Sequence, residues 1–157
     1  MILWRISNFN DLKGLGGLRA SGRWHLAGQP VVYLAEHPAL AFLEVLVNLE
    51  IGVVEQLPMT YQLLKVEAPD DMTGAVLGEE ALPDDWRLQT EWTQSAGTEW
   101  LAGGTTALLK VPSAVMPYSS NLLLNPAHGD AARVRILDAI QVRHDEGVLA
   151  LLSGGRI

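Results

Sequence analysis

The chain has 157 residues, enough for one domain with a real core, and its 48% apolar and 18% charged residues mark it as globular rather than disordered. A net charge of -7 argues against general nucleic-acid binding, and the absence of cysteine removes disulfides and thiolate metal sites. No basic leader with a long apolar run stands at the start and no stretch is long enough to cross a bilayer, so a cytoplasmic protein is expected.

The charge is unevenly spread. The first 25 residues hold Arg5, Lys13, Arg19 and Arg23 against Asp11 alone. Between Glu67 and Glu99, Asp70, Asp71, Glu79, Glu80, Asp84, Asp85 and Glu91 face only Arg87. A small cationic region on an acidic protein suits a local anion site better than a polyanion track.

In chain order, Met1–Ile6 reads as a strand with Arg5 opposite Trp4 and Ile6. Ser7–Gly28 reads as a loop with five glycines, long for a compact domain and therefore a candidate functional segment. Val31–Ala35 is a short predicted strand with Tyr33 on the face opposite Val32 and Leu34. Pro38 suits a first helical turn, and Leu40, Leu43, Leu46 and Val47 recur at helical spacing, which predicts a helix over Ala39–Leu49. Glu44 on that helix has mostly apolar neighbours one turn away, so a partly buried carboxylate facing a cation or a cleft is expected.

Thr60–Glu67 is the next predicted strand, and Pro69–Trp86 reads as an acidic surface excursion. Thr90–Leu101 is a predicted helix ended by Gly103 and Gly104. Ala107–Val111 is a strand stopped by Pro112, Ser113–His128 is loop-rich, and Arg133–Val142 is a strand or strand pair. Gly147–Ile157 is a short apolar tail segment. The order gives one α+β domain over 1–157, with a mostly antiparallel sheet and flanking helices.

Several chemistries find no support. His25, His37, His128 and His144 show no metal-binding spacing, and no Walker loop or GxSxG elbow is present. What remains is Arg23 in a glycine-bearing loop, Tyr33, Glu44 and a later polar segment. Each has an ordinary structural reading; Glu44, for instance, could simply pair with Arg5 or Arg23.

The runs LWRI, SGRWHLAGQPVVYLAEHPALAFLEVLV and VPSAVMPYSSNLLLNPAH, in that order, resemble the RES domain family over about residues 1–128. The resemblance implies an ADP-ribosyltransferase or diphtheria-toxin-like fold and a toxin of a bacterial toxin–antitoxin pair that consumes NAD+. It also implies an Xre-type helix-turn-helix antitoxin as partner, and allows an oligomer with it. Arg23, Tyr33 and Glu44 match the family's arginine, tyrosine and glutamate. Ser113 is taken as its serine, with Ser119 and Ser120 as alternatives in the same segment. Asn121 and Asn125 match its asparagines, and Arg5 is a further ligand candidate. Leu122 and Gly129 depart from the family pattern without touching these residues.

The expected chemistry suits those residue types. Arginine forks onto phosphate oxygens, and a carboxylate stabilises the oxocarbenium-like ribose formed as nicotinamide leaves. The sequence leaves the acceptor open: water, inorganic phosphate, or a specific protein in an ADP-ribosyltransferase. A non-catalytic interaction domain, with Arg23 and Glu44 burying one another, is the alternative from outside enzymology.

Overall fold

A computed structural model describes residues 1–48 and 59–154. The predicted helix end at Leu49 and the last residues of the tail segment, 155–157, lie outside the described residues.

Seven strands form one sheet: β1 (Ile2–Ile6), β2 (Val32–Ala35), β3 (Thr60–Glu67), β4 (Gly74–Val76), β5 (Leu108–Pro112), β6 (Ser120–Leu124) and β7 (Arg135–Arg143). Their spatial order is β4-β5-β6-β2-β1-β3-β7, antiparallel throughout except for the parallel β4–β5 pair. Four helices flank it: α1 (Gly16–Arg19), α2 (Pro38–Val47), α3 (Thr90–Gly103) and α4 (Glu146–Leu152). The expected α+β architecture with a mostly antiparallel sheet is therefore the one observed. No described helix is long and apolar enough to cross a membrane.

Strand alternation divides the core between the two faces of the sheet. Leu3, Val32, Leu34, Leu64, Val66, Leu122 and Leu124 pack on one face. Trp24, Val31, Trp86, Leu101, Leu109, Val111 and Leu123 pack on the other, under α3. Helix α2 lies on the β1–β2 end through Leu40 and Ala41, against Trp4, Ile6 and Ala35. Its start is built as the sequence suggests, with Pro38 in the first turn and the His37 side chain accepting the Ala39 amide at 3.1 Å.

Three local expectations require correction. The stretch after Ser113 reads as loop-rich, yet Ser120–Leu124 is β6, in the interior of the sheet. Its Leu122–Leu124 run is buried on both faces, so it lacks the alternation that marks a one-sided strand. The acidic excursion holds the three-residue edge strand β4, paired with β5 through Gly74, Ala75 and Val76. The long glycine-bearing loop contains one helical turn, α1.

The sheet is thin at one place. Strands β1 and β2 share a single registered pair, Trp4 with Ala35, whereas β1 and β3 share five. Beyond that pair the two strands diverge, and the candidate site occupies the gap.

Candidate active site

The gap opens into a cleft of about 340 Å³, within the size range of small-molecule sites. Its lining includes Arg5 from β1, Tyr33 from β2, Glu44 from α2 and Asn121 from β6, together with Arg23 from the loop before β2. Four elements and a loop thus bring together residues up to 116 positions apart, Arg5 and Asn121 being the extremes.

Ser113 follows β5, where Pro112 ends the strand's regular donors. Its fully buried hydroxyl accepts the amides of Val115 and Met116, each at 3.1 Å, and donates to Glu44 Oε1 at 2.8 Å. The two amides leave the hydroxyl proton one direction to point, which is at the carboxylate. Of the three candidate serines only Ser113 hydrogen-bonds Glu44. Ser119 offers its carbonyl to the Ser113 amide, and the Ser120 amide donates to Glu36.

Glu44 is half-buried among apolar residues of α2 and the cleft wall. Burial raises its pKa above the usual glutamate range, opposed by the Ser113 hydrogen bond and then by the positive charge of Arg23. Arg23 and Glu44 attract one another through space without forming an ion pair, so the mutual-burial arrangement considered from the sequence is not adopted.

Arg23 is anchored from behind. Its Nη2 donates to the carbonyls of Trp86, at 3.4 Å, and of Arg87, and its guanidinium lies 5.7 Å from the Trp86 ring centroid. Its Nε is buried without a hydrogen-bond partner, as is that of Arg5, whose Nη1 donates to the Tyr33 carbonyl at 3.3 Å. Burial lowers the pKa of both arginines, yet arginine remains cationic at any physiological pH. Two cations with unspent donors line one cleft.

The backbone around Arg23 is held at four points. The Gly22 amide donates to His25 Nδ1 at 3.2 Å, and the Trp24 amide donates to the Tyr33 hydroxyl at 3.1 Å. On the opposite side, Gln94 Nε2 donates to the Gly22 carbonyl at 3.0 Å and Thr93 Oγ1 to the Arg23 carbonyl at 2.7 Å. Both of the latter come from α3, which also presents Gly97: a Cβ there would sit 1.6 Å from the Trp24 carbonyl oxygen. Gly22 meets a similar constraint, since its added Cβ would lie 2.5 Å from the Tyr33 hydroxyl.

His25 is a participant that histidine spacing does not reveal, because spacing tests a histidine only as a metal ligand. It is 2% exposed, its Nε2 faces the Gly17 carbonyl at 3.3 Å, and its Nδ1 lies 2.7 Å from the Tyr33 hydroxyl. The pattern assigns the Nε2–H tautomer, with Nδ1 accepting from Tyr33 and Gly22. Burial pushes the Tyr33 pKa up to about 12, partly offset by the Trp24 amide, so this hydroxyl stays protonated and donates to His25. Its hydrogen bonds are spent on the loop; the ring is what Tyr33 offers the cleft. The usable sequence signal is the immediate neighbourhood of His25 and Arg23 within Gly22–His25, whose ends also form an isolated β-bridge.

The remaining candidates divide. Asn121 lines the cleft and donates to the Leu34 carbonyl at 3.4 Å. Asn125 instead ties Leu101 to the turn at Ala127 and does not line the cleft. Among the described residues no group of three or more His, Asp or Glu side chains gathers as a metal site.

A RES domain is recognised over residues 2–145. A "Toxin Res" of Pseudomonas putida is 51% identical over 136 residues, covering 87% of this chain and 92% of the relative. A "Prs ADP-ribosylating toxin" of a Sphingobium species is 37% identical, covering 84% and 86%. The fold is shared with a chain in the crystal structure of the M. tuberculosis MbcT-MbcA toxin-antitoxin complex, with a TM-score of 0.76 at 17% identity over 98% of this chain and 88% of that one. By the extent of the domain match and by these relatives, the chain belongs to the RES domain family.

Proposed function

We propose that the protein is the toxin of a toxin–antitoxin pair and that it destroys NAD+ by cleaving the nicotinamide–ribose bond. The observation that carries this reading is the Ser113–Glu44 hydrogen bond at 2.8 Å, which aims a half-buried carboxylate into the same cleft as Arg5 and Arg23. The names of the curated relatives support the toxin part of it.

In this reading Arg23, with Arg5 behind it, takes the negative pyrophosphate. The Tyr33 ring packs on the nicotinamide, and Asn121 contacts its carboxamide or the ribose. Glu44, oriented by Ser113, faces the ribose as the C–N bond breaks. The bonding electrons leave with nicotinamide, which departs as a neutral base, so no strong general acid is required. The positive charge then spreads over C1′ and the ring oxygen, where an ionised carboxylate in a half-buried site is effective. Water completing the reaction makes a glycohydrolase, and inorganic phosphate a phosphorylase. No metal or prosthetic group is called for; NAD+ is the substrate. The partner is an Xre-type antitoxin that silences the cleft.

The name of the Sphingobium relative favours a second reading, transfer of ADP-ribose to a specific protein. One experiment separates them. Antitoxin-free protein is incubated with NAD+, with and without phosphate, beside Glu44→Gln. Nicotinamide release by the wild type alone supports the proposal and its co-product names the acceptor. Folded wild type that leaves NAD+ intact would reject it, and label appearing on a protein band would favour transfer.

A further inference from the structure

The cleft has a neighbour. A second hollow of about 490 Å³ opens beside β4 and the end of β5, lined by Leu77, Arg87, Lys110 and Tyr118 among others. One short segment divides the two: Ala114 and Val115 face the first, Pro117 to Ser119 the second.

An arginine from each of them packs on Trp86, which is 3% exposed. Arg23, from the first cleft, lies 5.7 Å from the centroid of that ring, and Arg87, from the second hollow, lies 4.5 Å from it. One buried indole therefore mounts two guanidiniums, one reaching into each hollow. Arg87 is paired with Glu79 at 3.1 Å in an exposed bridge that an incoming anion can replace. The like charges of the two arginines oppose each other, a repulsion that an anion between them would relieve.

The divider carries the third observation. Tyr118 is the one non-glycine described residue with a positive φ, 61°, and its side chain is fully exposed. A bulky residue in the left-handed region is strained, and among the described residues nothing covers its ring to offset this. It stands as a free aromatic surface at the edge of a hollow that has an apolar side, Val76 and Leu77, two cations, Arg87 and Lys110, and the Glu79 carboxylate that pairs with Arg87.

An aromatic face, an apolar side and a cation mounted on the same indole as the first cleft's arginine match a nucleotide. We infer that the second hollow binds the adenosine half of the dinucleotide, with the pyrophosphate spanning Arg23 and Arg87 and the adenine stacked on Tyr118. The inference rests on the NAD+ reading, but its test does not depend on turnover.

The test is calorimetric titration of ADP, which lacks the nicotinamide riboside half, into wild type, Tyr118→Ala and Arg87→Ala. Tyr118 is exposed, so its variant should fold, and melting curves check the other. Each substitution is expected to weaken ADP by about tenfold, the scale of one stacking or charge contact, and to lower kcat/KM for NAD+ in parallel. ADP affinity equal in wild type and Tyr118→Ala, or no ADP binding by folded wild type, overturns the inference, even if NAD+ is cleaved. Tyr118→Ala that weakens only capture of the antitoxin overturns it too, in favour of a protein-docking surface. Tyr118-dependent ADP binding without any NAD+ loss would uphold the nucleotide subsite and reject the cleavage reading.

Discussion

At the scale of single residues, Glu44 links activity and stability with opposite signs. Its raised pKa means that the fold prefers the protonated acid. The stability contribution is thus full below the unfolded-state pKa and is lost as pH rises through the higher folded value. The proposed cleavage of NAD+ needs the ionised form. NAD+ turnover should therefore fall on acidification with a midpoint above the usual glutamate range, as a pH–rate profile would record. Glu44→Gln should lower turnover by about a hundredfold or more while melting no lower than wild type at neutral pH. A clearly lower melting temperature would point to a structural carboxylate instead. Ser113→Ala should do both kinds of harm, because it disorients Glu44 and takes the acceptor from the part-buried Val115 and Met116 amides, at about 1 kcal/mol of stability, measurable by denaturant titration. The pairing of Ser113 with Glu44, 69 positions apart, is legible in the sequence only as a family pattern, since nothing local to either residue announces the other.

At the scale of elements, α3 exists as much to hold the Gly22–His25 turn as to fill the core. Thr93, Gln94, Gly97 and Thr98 form one side of the helix, at spacings of three and four, and all meet that turn or the residue after it. Gly97→Ala should displace the turn or the helix, costing about 1–3 kcal/mol as an overpacked contact does, and should raise KM for NAD+ by moving Arg23. His25→Ala should raise KM about tenfold by leaving the Tyr33 hydroxyl and the Gly17 carbonyl without their imidazole partner and so loosening the turn that carries Arg23, yet add little in an Arg23→Ala background, because both changes act through the same guanidinium. Additive effects in that double-mutant cycle would reduce His25 to general packing. The sequence announces α3 by its periodicity and its Gly104 end, but the helix's grip on the turn is silent there, because Thr and Gln on a helix face look like solvated residues. Strand β6 is hidden for the opposite reason, as its apolar run carries no period. Helix α2 is legible because Pro38 and a regular apolar stripe agree.

At the scale of the whole molecule, charge and topology converge on the cleft. An acidic protein of net charge -7 concentrates exposed carboxylates elsewhere and keeps Arg5 and Arg23 in the one gap between β1 and β2. If the antitoxin silences that gap, it should present carboxylates there, and Arg23→Glu should weaken the complex in a co-purification or calorimetric assay; an undiminished complex would count against this. The α+β class follows from the order of elements, whereas strand order does not, because non-local pairing such as β2 with β6 leaves no local mark. The single β1–β2 pair has a further consequence. It divides the sheet into two ladders, β7-β3-β1 and β2-β6-β5-β4, bridged on one face by α2. The most sparsely paired seam of the sheet runs beside the candidate cleft, so amide hydrogens should exchange as two separate blocks, with the earliest openings along that seam. Anything that grips Arg5 from one ladder and Tyr33 or Asn121 from the other becomes a clasp across it, slowing exchange in both blocks at once.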